Sequence, residues 1–243
     1  MIQQMLKEIE LAYGVTVLHA VEAGSRAWGF ASVDSDYDVR FIFKYPDSRY
    51  LMYRKPLDCI ESVTMKYDFV GWDIYKALHL LEKSNSSLIE HLRSPIVYVN
   101  RMPDMPLLRV NLSRLAHHYI GLAESHMKRY WVRENDVSAK KMLYVVRCVL
   151  CAYYIFEHIA TPPVVFDQLT GVDHELDVIT ERLLKAKQSE CSTIYSNRIR
   201  YLTCLDFRNL HHRANQLPND DEFDCELILE KIRKDERSNY ESS

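Results

Sequence analysis

Two aspartates one residue apart, Asp36 and Asp38, stand at the head of the apolar run Val39-Arg40-Phe41-Ile42-Phe43. On a strand, side chains at i and i+2 leave the same face, about 6–7 Å apart along the chain. Carboxylates held that close raise each other's pKa unless a cation sits between them. Such a pair at a sheet edge suits a divalent metal. Upstream, the run Gly24-Ser25-Arg26-Ala27-Trp28-Gly29 supplies complementary chemistry. Gly24 can adopt positive φ and lets a ligand approach the backbone, and Ser25 offers a hydroxyl and an amide. Val15 to Glu22 reads as the preceding strand and Arg26 to Phe30 as a short helical turn. Backbone N–H groups at that junction form a concavity for anions. Phosphates held there would lie beside metals on the aspartates. That is the layout of two-metal nucleotidyl transfer, with ions about 3.5–4 Å apart.

The Gly-Ser pair, a spacer over residues 26–35 and an Asp-x-Asp among apolar residues together resemble the signature of the DNA polymerase beta nucleotidyltransferase superfamily. The fuller string GSRAWGFASVDSDYDVRFIF resembles most a group within it proposed to act in RNA repair. The bland alternative is a polar loop in which Asp34 and Ser35 are ordinary turn formers. The resemblance implies an α+β protein. A polymerase-beta-like nucleotidyltransferase domain with a small mixed sheet would span 1–105, and a helical domain over 106–243 would close the nucleotide cleft. It also implies an NTP substrate and Mg2+ or Mn2+ on Asp36 and Asp38.

Two-metal transfer needs a third carboxylate to orient or deprotonate the attacking hydroxyl. Asp68 is the candidate, near the end of Cys59 to Phe69, which reads as a third strand. Asp73 competes, but at a helix start its ordinary role is capping. In the resembling group an acidic residue precedes a helix carrying a lysine, an asparagine and a glutamate, here Lys76, Asn85 and Glu90. Asn85 and Glu90 have an equal claim to capping and pairing.

The helix expected over 138–158 carries Lys140, Lys141, Tyr144 and Arg147. Lys140, Tyr144 and Arg147 share one face at i, i+4 and i+7. With Gly24, Ser25 and Arg26, the lysine and Arg147 could hold the triphosphate. The resembling group has a basic pair in this region, and helix geometry favours Lys140 over Lys141. A solvated basic stripe is the alternative. Tyr130 and Trp131, among basic residues, could stack a base or simply join the core. Adjacent histidines, His117-His118 and His211-His212, point about 100° apart on a helix and make no chelating face.

Composition sets the frame. The chain has 243 residues, 47% of them hydrophobic, and a formal net charge of −3. Residues 109–158 hold eight Lys or Arg against four Asp or Glu, whereas residues 216–243 hold four against nine. A basic middle suits phosphate or nucleic acid, although a solvated helix face does as well. No run of about 18 apolar residues suggests a membrane span, and the N-terminus lacks a secretory apolar region. Six scattered cysteines, Cys148 and Cys151 among them, read as reduced, buried thiols. A cytoplasmic setting follows. Helices are expected near 72–82, over 109–134 and over 138–158. The expected reaction moves a nucleoside monophosphate from an NTP to a hydroxyl, with pyrophosphate leaving. An RNA end is the acceptor the resemblance implies. A protein (toxin) or small-molecule hydroxyl, a non-catalytic nucleotide-binding regulator and an antitoxin-like partner stay open.

Overall fold

The computed structural model describes residues 1–32, 35–102, 110–133, 135–188, 192–220 and 225–241, with side chains of the last helix as far as Arg233. Helix α1 (Ile2–Tyr13) leads into strand β1 (Thr16–Glu22), the short helix α2 (Gly24–Trp28) and strand β2 (Tyr37–Lys44). A single turn, α3 (Asp47–Tyr50), precedes strands β3 (Cys59–Val63) and β4 (Tyr67–Asp73). Helices α4 (Ile74–Glu82) and α5 (Ser86–Leu92) and strand β5 (Val97–Asn100) complete the first part. The second part holds α6 (Leu112–Tyr130), β6 (Asp136–Ser138), α7 (Ala139–His158), α8 (His174–Lys187) and β7 (Thr193–Tyr195). A 3-10 segment (Ser196–Cys204), α9 (Phe207–Ala214) and α10 (Cys225–Glu241) follow. The fold is the expected α+β arrangement with a small mixed sheet.

Among the described residues the main sheet runs β3-β4-β2-β1-β5. β2 and β4 are parallel, and the other neighbours are antiparallel. The segment expected as one strand from Cys59 to Phe69 is instead a hairpin. Thr64 N–H donates to the Tyr67 carbonyl at 2.8 Å and folds the chain back, so β4 runs on to Asp73. Parallel pairing puts Asp38 opposite Asp68 and Phe41 opposite Gly71. A Cβ on Gly71 would lie 2.2 Å from the Phe41 ring. The glycine therefore lets the ring lie across β4 without pushing the strands apart.

Alternation along β2 sorts its side chains. Val39, Phe41 and Phe43 join Leu6 and Ile9 of α1 in one core, while Ile42 joins α4, α5 and α10 on the other face. The helical part packs around α7, whose Met142, Leu143, Val146 and Leu150 are wholly buried. Trp28 and Phe30 lean on the core around α7, and Ile228, Leu229 and Ile232 of α10 return to the sheet face that carries Ile42. The expected division between residues 105 and 106 lies outside the described residues. No helix among them is long and apolar enough to cross a membrane.

Candidate active site

Residue 37 is where β2 begins, so Asp36 lies just outside the strand and does not share a pleated face with Asp38. Arg26 accounts for this. Its Nη2 donates to the Ser35 carbonyl at 2.7 Å and its Nε to the Asp36 carbonyl at 3.2 Å. The guanidinium also stacks on the Tyr37 ring, 3.8 Å from its centre. Arg26 thus holds the loop that presents Asp36 instead of standing open toward phosphate.

The carboxylate opposite Asp38 is Asp68, and Arg40 lies between them. Its Nη2 is 2.9 Å from Asp68 Oδ2 and 3.5 Å from Asp38 Oδ1. Burial raises the Asp38 pKa, which Arg40 counters; Asp68 pushes it up, Lys140 down and Asp36 up. A guanidinium thus already occupies the place where two facing carboxylates call for a cation. Glu22, fully buried at the end of β1, accepts the Asp38 N–H at 2.8 Å and the Tyr98 hydroxyl. Burial raises the Glu22 pKa despite these bonds. Sequence reading passed over both residues. Arg40 had a signal, a charge two positions from Asp38 in an otherwise apolar strand.

Gly24 has φ 58°, and a Cβ there would lie 2.1 Å from Asp38 Oδ2. The Gly-Ser turn and the carboxylate are therefore in direct contact, with room only for glycine. Ser25 follows in the first turn of α2, half-buried. The expected helical turn starts two residues earlier than the sequence suggested, at Gly24.

From the helical side, Lys140 and Tyr144 approach. Lys140 is near enough to act on Asp38, and Tyr144 lines the same cavity of about 250 Å3 as Gly24, Asp38, Arg40, Ser87 and His91. Lys141 instead places its Nζ 4.0 Å from the centre of the Tyr130 ring, away from the carboxylates. Arg147 departs from the expected phosphate-binding role. Its side chain is 1% exposed, its Nη1 donates to Glu90 Oε1 at 2.7 Å and its Nη2 to the Val164 carbonyl at 3.2 Å. A guanidinium this buried requires a fixed anion, and Glu90 is that anion. Glu90 also accepts Tyr119 Oη at 2.9 Å and Trp28 Nε1 at 3.2 Å, and Arg147 lies 4.6 Å from the centre of the Trp28 ring. The cluster fixes Trp28, which forms one wall of the cavity.

Asp73 caps α4 by accepting Tyr75 N–H at 3.0 Å and is held by Tyr50. Asn85 caps α5 through Leu88 N–H. Lys76 pairs with Asp58 at 3.2 Å. His117 and His211 meet across α6 and α9, with Nδ1 atoms 2.7 Å apart, a contact that adjacency in sequence could not show. Cys148 and Cys151 are free and buried, and burial pushes the Cys151 thiol up to about 12. Among the described residues no group of three His, Cys, Asp or Glu converges closely enough to hold a metal ion. Asp38 and Asp68 face each other across β2 and β4 and offer hard oxygens suited to Mg2+ or Mn2+. Asp36 stands beside them at the start of β2.

The chain has counterparts among known proteins. The family model for RlaP, the RNA repair pathway DNA polymerase beta family, matches residues 1–228. A curated relative, the uncharacterized protein YcgL of Bacillus subtilis (strain 168), is 38% identical over 193 residues, which is 75% of this chain and 74% of that protein. On that coverage, reaching from the Gly-Ser turn through the helices that wall the cleft, the chain belongs to the RNA repair pathway DNA polymerase beta family.

Proposed function

We propose that the protein transfers a nucleoside monophosphate from an NTP to a hydroxyl at an RNA end. The observation that carries this reading is the facing pair Asp38 and Asp68, with Gly24 against one carboxylate and a cation bridging both. The acceptor oxygen attacks the α-phosphorus, the bond from that phosphorus to the bridging oxygen breaks, and pyrophosphate leaves. Asp36, Asp38 and Asp68 would hold Mg2+ or Mn2+, which would supply charge for the phosphates and acidify the attacking hydroxyl. Asp68 accepts that proton or orients the hydroxyl. Gly24 and Ser25 present backbone and hydroxyl to the triphosphate tail, and Lys140 adds a positive charge from α7. Glu22 fixes the Asp38 backbone from behind. Arg147 acts through Glu90 and Trp28, and so positions the cavity wall. The family's description supports an RNA acceptor.

Incubation with Mg2+ and α-labelled NTPs, with RNA or a protein fraction as acceptor, tests the reading. RNA should take up label, and Asp36→Asn/Asp38→Asn should abolish uptake while the circular dichroism spectrum stays unchanged. Full activity in that variant would refute the mechanism, and label confined to protein would refute the RNA acceptor.

A further inference from the structure

Two surface depressions border the same stretch of chain, β7 and the 3-10 segment that follows it. The first, about 800 Å3, is lined by Arg182 and Lys185 of α8 and by Arg198. The second, about 330 Å3, is lined by Trp131, Arg133 and Arg200. Ile199, fully buried with non-helical φ −128° and ψ 26°, interrupts the segment between the two arginines. Arg198 and Arg200 are exposed, one in each depression, and have no ion-pair partner among the described residues. Arg182 donates to the Arg198 carbonyl at 2.7 Å and so ties α8 to this segment. Lys185 pairs with Glu181 in an exposed contact that water weakens. Asp136 is the carboxylate among the described lining residues.

The depressions connect to the catalytic cleft through β6 and β7. Ser138 pairs with Thr193, and the next turn of chain carries Lys140. Lys140 is near enough to act on both Asp38 and Lys187. Lys187 Nζ donates to the Phe30 carbonyl at 2.6 Å, just beyond the Gly-Ser turn. Cations therefore continue from the carboxylates to the far depression, and Tyr195, 42% exposed, stands along the way. A line of cations with aromatic faces fits a flexible phosphodiester backbone with unstacked bases better than a single small anion.

We infer that this surface is a track for a single-stranded polynucleotide and holds the acceptor strand whose end enters the cleft. The inference rests on the transferase reading above. Its test is fluorescence anisotropy of the full chain with an unstructured fluorescein-labelled RNA of about 15 nucleotides, within the range single-strand sites cover. Arg198→Glu/Arg200→Glu should bind at least about tenfold more weakly. Its log–log salt slope should fall by about 1.4, two phosphate contacts at about 0.7 each. Arg198→Lys/Arg200→Lys, matched by circular dichroism, should keep affinity within a few-fold. DNA of the same sequence that binds comparably or more weakly through the same arginines supports a backbone-read track. Binding of the Glu variant within twofold of wild type overturns the track, as does equal arginine-dependent binding of polyglutamate, which would indicate an acidic protein partner. Asp36→Asn/Asp38→Asn separates the two readings, because it should bind RNA normally. Arginine-dependent RNA binding without any label transfer to RNA would sink the transferase reading alone. Transfer to RNA at unchanged KM in the Glu variant would sink the track alone.

Discussion

Replacing Arg40 by Met exposes the demand for a cation at the centre of the cleft. One Arg40 nitrogen reaches Asp38 Oδ1 at 3.5 Å and Asp68 Oδ2 at 2.9 Å, so these oxygens are at most about 6.4 Å apart. At that separation two unit charges repel by about 2.6 kcal/mol at an effective dielectric of 20, and by about 0.6 kcal/mol in bulk water. The two aspartate side chains are 31% and 35% exposed, which places the cost between these limits, about 1–2 kcal/mol. Arg40→Met should lose that much stability in EDTA, read from urea unfolding. Millimolar Mg2+ should restore most of it, because an ion bound between the carboxylates replaces the missing guanidinium. Wild type should gain less from Mg2+, since its own arginine competes for the position. A variant as stable as wild type in EDTA, or Mg2+ that raises both equally, would show that the two carboxylates make no demand for a cation.

Glu90→Gln strands the buried Arg147 charge and should cost about 3 kcal/mol, lowering Tm by roughly 6–12 °C; a loss below about 1 kcal/mol in urea melts would show that Glu90 does not neutralise it. Gly24→Ala puts a methyl group 2.1 Å from Asp38 Oδ2 at φ 58°, and should reduce transfer more than tenfold for a stability cost of about 1–2 kcal/mol. His91, stacked on Trp72 and flanked by Arg40 and His19, is held at about 3, mainly by burial and then by those two neighbours. The unfolded chain binds a proton there below about 6.5 and the folded protein does not, so stability should fall as pH drops from 6.5 toward 3, by up to about 1.4 kcal/mol per unit. Burial also lowers His19, which adds to the same slope. A flat stability profile between pH 6.5 and 4.5, or a Phe at position 91 that leaves the slope unchanged, would contradict this account.

The sequence alone made the local patterns legible: the Gly-Ser turn, the Asp-x-Asp and the long basic helix all depend on spacing over a few residues or on a single helical period. Capping by Asp73 and Asn85 was legible for the same reason, since a cap bonds within three residues. Tertiary structure decided what each charge faces. Arg40 reaches Asp68 across 28 residues, Tyr98 reaches Glu22 across 76, and Arg147 reaches Glu90 across 57. Periodicity placed Arg147 on the stripe of Lys140 and Tyr144, but a stripe says nothing of what packs on it, and there α5 brings Glu90, which pairs with the buried guanidinium. The strand expected from Cys59 to Phe69 became a hairpin because the turn at residues 64–66 lets β4 lie parallel to β2. That pairing puts Asp68 opposite Asp38, and only the sheet could specify it, because strand register is set by partners far away in the chain.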